Sequence, residues 1–102
     1  MNIRLHHAAQ VVGEATEALV SNGTTRERLL LASKILLGIQ PREFDGFPLL
    51  QSRWDEIDAR FSKVQDPKVG SYRRTVEKMS GPKMGELCEL ILSLDREIRT
   101  TE

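Results

Sequence analysis

Two histidines, His6 and His7, stand side by side near the start of the chain. Imidazoles bind metals, but sequence neighbours on a helix point about 100° apart and do not easily share one ion. Gln10 is a poor third ligand, and Glu14 lies two turns from His7. The pair is expected to be exposed and structurally idle. The single cysteine, Cys88, sits beside Leu87 and close to Ile91. A nucleophilic thiol needs a base and an accessible, electropositive setting. Neither histidine is near it in sequence, so Cys88 reads as a packed structural thiol.

Carboxylates offer a second kind of chemistry. Glu14 and Glu17 form one pair and Asp55 and Asp58 another. Some all-α nucleotide pyrophosphatases hold Mg²⁺ with paired acidic motifs, because hard cations want clustered oxygens. Here the spacing departs from those motifs, and Arg53 and Arg60 flank the second pair. The acids do not amount to a family resemblance, and both pairs also read as solvated helix faces. A Mg²⁺-dependent nucleotide hydrolase is therefore the third and weakest reading, and it requires all four acids to converge. Asp95 falls near the centre of an apolar arc, between Ile91 and Ile98. A buried carboxylate needs a partner; Arg26, Arg28 and Tyr72 are the candidates.

The strongest charge asymmetry lies between residues 63 and 83, where six basic residues face two acids for a net of +4. Residues 84 to 102 carry a net of −3. The basic side chains Arg73, Arg74, Lys78 and Lys83 could meet an acidic protein or the phosphates of a nucleic acid. A helix-turn-helix would make the last helix the reader, yet that helix is acidic and apolar, which suits a core and not a major groove. Phe44 and Phe47 flank an Asp-Gly turn. They could form an exposed recognition wedge, or fold back as a plug over one end of the core.

Helices must position all of these residues. Leu5, Ala8, Val12, Ala15 and Leu19 recur at spacings of three and four, which predicts a helix from about residue 2 to 21. Asn22-Gly23 stops it. Thr24 and Glu27 form an S/T-x-x-E capping box, and a second helix is predicted to about Ile39, before Pro41. This stretch, about residues 25–39, is the most apolar in the chain. Leu29, Ala32, Ile35, Leu36 and Ile39 share one arc, Leu31 widens it, and Leu30 and Leu37 form another. A helix apolar on most sides is expected to be buried, so the others should surround it. A third helix opens at Pro48 with the stripe Leu50, Trp54, Ile57, Phe61 and Val64. Asp66-Pro67 is a start signal for a fourth, although Gly70 weakens its first turns and Ser71 is the alternative start. Its stripe is Val69, Tyr72, Val76 and Met79. The last helix is predicted from Pro82 to about Arg99, with Thr100 to Glu102 fraying. No segment alternates like a strand.

The expected fold is all-α: one domain over residues 1–102, a compact bundle of four to five helices around a central apolar helix. A chain of 102 residues, 39% hydrophobic and 29% charged, can build one core without staples. Zero formal net charge gives no global field toward nucleic acid or anionic membrane. One cysteine fits a reducing compartment, and neither a signal peptide nor an apolar span is recognisable. A soluble, cytoplasmic protein is expected. No catalytic set, metal site or cofactor site is expected from the spacing of its residues. The favoured function is non-enzymatic protein–protein interaction, as a regulator, adaptor or assembly subunit. Wide apolar arcs on the second and last helices lead us to expect a homodimer at micromolar concentration. The alternative is a nucleic-acid-binding module using the basic 63–83 segment.

Overall fold

Helix α1 (Ile3–Leu19) and helix α2 (Thr25–Leu36) pair most extensively in this computed structural model, which describes residues 3–101. Buried Ala8, Ala15 and Ala18 on α1 leave room for a close neighbour. Asn2 and Glu102 lie outside the described residues. Helix α1 ends two residues before the expected stop, and Gly23 takes a positive φ of 119° in the link. The capping box is formed. Thr24 Oγ1 accepts from the Glu27 N–H, and the Glu27 carboxylate accepts from the Thr24 N–H.

Helix α2 stops at Leu36, three residues short of the expected end. Gly38 is a poor helix residue, and the last turn tightens: the Gly38 N–H donates to Ile35 O and the Ile39 N–H to Leu36 O. A 3-10 turn, Pro41–Phe44, follows. Helix α3 (Pro48–Phe61) starts at the proline as expected, and Leu50, Trp54, Ile57 and Phe61 are buried. Val64 lies beyond its end, half-buried.

Helix α4 (Ser71–Lys78) begins at the later of the two expected positions. Asp66 and Pro67 start only a single turn. Asp66 Oδ1 accepts from the N–H groups of Lys68 and Val69, and the Gly70 N–H donates to Asp66 O. Gly70, with φ of 99°, then redirects the chain. Helix α5 (Gly81–Thr101) runs on past the expected fraying point, with Thr100 and Thr101 hydroxyls bonded to the carbonyls of Arg96 and Glu97.

The fold is all-α, with no strand among the described residues. Helix α5 touches α1, α2 and α3, and buries Met84, Leu87, Ile91, Leu94 and Ile98. Helix α2 is not encircled in the way its composition suggests. Leu29, Ala32 and Leu36 are fully buried, but Leu31 is 47% and Leu37 62% exposed. Its neighbours are α1, α4 and α5, so one edge faces outward. No helix is long and apolar enough to cross a membrane among the described residues.

Candidate functional site

That open edge of α2 forms a groove with the start of α4. The single turn at Asp66–Gly70 supplies the facing wall and holds Val69 out, 40% exposed. Five large apolar side chains are exposed among the described residues: Val20, Leu31, Leu37, Leu49 and Val69. Three of them, Leu31, Leu37 and Val69, line this one groove of about 640 Å³. Leu30 and the buried Tyr72 ring complete the apolar part. Lys34 and Arg73 are its charged residues, and no acid lines it. Among the described residues Arg73 is held only by Glu77, at 3.6 Å on an exposed surface, an ion pair worth little.

Helix α4 is fixed here by contacts from other elements. The Tyr72 ring stacks on Phe61 at 4.6 Å, and its hydroxyl donates to Asp58 at 2.5 Å. Burial, then that carboxylate, push the Tyr72 phenol far above its usual value. Thr75 Oγ1 accepts from the Val64 N–H. From α2, the Arg26 guanidinium donates to the carbonyls of Val76 and Met79, which end α4.

The four basic residues singled out in the sequence do not share a surface. Arg73 lines the α2/α4 groove. Arg74 is half-buried and held by Asp66 at 3.0 Å and Glu77 at 3.4 Å. Lys78 and Lys83 line a second groove, of about 680 Å³, between α3, α4 and α5. Lys63 joins them there, a residue whose place in the charge run did not distinguish it from its neighbours. Arg60 bridges the two acids of that groove, Glu86 at 3.1 Å and Glu56 at 3.4 Å.

Phe44 offers no exposed surface: it is fully buried, its ring 6.2 Å from that of Trp54. Phe47 is half-buried against the same core. Both fit a plug over the core: Phe44 closes the 3-10 turn, and Phe47, whose N–H donates to Phe44 O, leads into α3. His7 is not idle either. Its Nδ1 lies 2.7 Å from Glu43 Oε1, tying α1 to the 3-10 turn, while Glu43 Oε2 accepts from the Gln40 N–H. His6 is exposed.

Asp95 is buried as expected, but its partner is Arg99 in its own helix, at 3.1 Å. None of Arg26, Arg28 and Tyr72 fills that role. Cys88 is half-buried, and desolvation pushes its thiol up despite the nearby Arg28 charge. A thiol so placed stays protonated at neutral pH and is a poor nucleophile. The acids needed for Mg²⁺ chemistry do not converge. Asp58 is engaged by Tyr72 and Asp55 by Gln51. Among the described residues no three His, Cys, Asp or Glu side chains gather at a spacing that could hold a metal.

Comparison with protein-family models, with curated proteins and with solved structures found no match to this chain.

Proposed function

We propose that this chain is a non-enzymatic helical module that docks an acidic protein segment in the α2/α4 groove. The observation that carries this reading is the gathering of Leu31, Leu37 and Val69 in one concavity that holds Lys34 and Arg73 and no acid. Isolated exposed leucines are ordinary; clustered ones in a groove are the usual mark of a contact site. Helix-in-groove recognition needs this kind of surface: apolar pockets for side chains spaced at i, i+3/i+4 and i+7, with charges on the rim.

The charges favour an acidic partner over a second copy. In a symmetric pair the same patch meets itself, and this groove is lined by two cations and no acid. Helix α5 also buries most of its apolar arc within the single chain, which leaves less apolar surface for a second copy to cover.

Selection of amphipathic helical peptides from a display library tests the reading. The targets are the wild-type chain and a Leu31→Lys/Leu37→Lys variant. Expected binders are acidic, carry an apolar stripe, and lose the variant by at least tenfold. Binders that treat both chains alike, or a dimeric mass by light scattering that the variant abolishes, overturn it.

A further inference from the structure

The groove between α3, α4 and α5 holds chemistry that protein docking at α2 does not use. We propose that it binds a small phosphorylated molecule, its phosphates paired with Lys63, Lys78 and Lys83 and its body resting on Val64, Met79 and Leu87.

Three separate elements each bring one lysine to this groove: the segment after α3, the end of α4 and the first turn of α5. Among the described residues none of the three makes an ion pair, although the chain as a whole has as many acids as bases. The two acids in the lining, Glu56 and Glu86, are both bridged by Arg60. The lining thus holds four cations and two acids, a net of +2, which a phosphate dianion would balance. The three lysines are exposed in one groove, so their mutual repulsion is screened but not cancelled by an acid of their own. A phosphate turns that repulsion into attraction, and lysine ammoniums serve it as point charges.

Size and extent separate a compact ligand from a polymer. A volume of about 680 Å³ exceeds what a bare phosphate fills and lies inside the usual span for small-molecule sites, about 300–1,000 Å³. The half-buried Val64 and Met79 and the buried Leu87 give an apolar surface for a ring or chain. A nucleic-acid strand would need the basic track to continue. It does not: Arg74 is held by Asp66 and Glu77, and Arg73 belongs to the other groove.

Titration calorimetry and thermal melting with inorganic pyrophosphate, ATP and a single-stranded 20-mer test the site. Pyrophosphate and ATP are expected to bind at low salt, ATP more tightly because it adds the apolar contact, and to raise the melting midpoint by several degrees at saturation. A Lys63→Gln/Lys78→Gln/Lys83→Gln variant is expected to melt close to wild type without ligand, because all three side chains are exposed and none is in an ion pair among the described residues. It should bind both probes at least tenfold more weakly, and Arg73→Gln should bind them as wild type does. Should the triple variant fail to fold, amide shift mapping of the wild type with pyrophosphate decides. Shifts confined to residues 60–64 and 75–87 support the site, and shifts at 31–37 overturn it. Absence of binding at millimolar probe, equal affinities for ATP and pyrophosphate, unchanged binding by the triple variant, or tighter binding of the 20-mer that depends on Arg73 overturns it too.

Discussion

Arg26 is the side chain whose removal should cost the fold most for its exposure. Helix α4 has eight residues, shorter than a helix that persists alone in water, so its ends must be held from outside. The Arg26 fork takes the carbonyl of Met79 and shares that of Val76 with the Met79 N–H; both carbonyls sit at the negative end of the helix. Arg26→Ala is expected to lower the unfolding free energy by about 1.5–3 kcal/mol, the range for hydrogen bonds from a charged group. Urea titration reads this directly, and a loss below about 0.5 kcal/mol would show the clamp to be idle. Phe44→Ala should cost more, about 3–5 kcal/mol, because a fully buried ring leaves a cavity. Sequence alone reveals the Thr24–Glu27 box, since both partners lie within one turn. It does not reveal Arg26 or His7, whose partners are 50 and 36 residues away. Asp95 fails in the opposite sense. Its burial is legible from the helical arc, but the arc points to partners across the bundle, whereas Arg99 stands one turn along the same helix.

At the scale of elements, the turn at Asp66 decides where α4 begins. The Asp66 carboxyl is held below its usual value by the Val69 N–H first, then by the Arg74 guanidinium and the Lys68 N–H. The folded chain therefore prefers the ionised form, and the unfolded chain takes up the proton more readily. Stability from this group is present above the unfolded value, about pH 3.9, and is lost as pH falls through the lower folded value. The melting midpoint of the wild type should drop more steeply between about pH 5 and 2 than that of Asp66→Asn, in which no such proton is bound. Parallel curves would mean that the carboxylate contributes nothing there. Asp66-Pro67 is a correct signal locally, because the cap and turn do form. It fails to predict a helix because Gly70, at φ 99°, ends the turn before a second one begins. Helix α2 ends short of Ile39 for a related reason: Gly38 tightens the last turn, while Ile39 stays buried without remaining helical.

For the whole molecule, periodicity tells which faces are apolar but not which neighbours arrive to cover them. The sequence marks α2 and α5 as equally wide in apolar arc, yet their neighbours cover them unequally: no large apolar side chain of α5 is exposed. Helix α2 pairs with α1 on one side and with the short α4 on another, so Leu31 and Leu37 have nothing over them. This difference sets apart two substitutions that composition would rank alike. Leu87→Ala removes a fully buried side chain and should lose about 2–5 kcal/mol. Leu31→Lys/Leu37→Lys changes exposed positions, and lysine is close to leucine in helix propensity, so the isolated chain should stay within about 1 kcal/mol of wild type. Denaturant titration at two protein concentrations separates the possibilities. If the edge of α2 waits for a different partner, the double variant is neutral at both. If a second copy already covers it, the wild type is more stable at the higher concentration, by mass action, and the double variant loses that increment. The second result would turn the α2/α4 groove into a self-contact and end the case for an acidic partner.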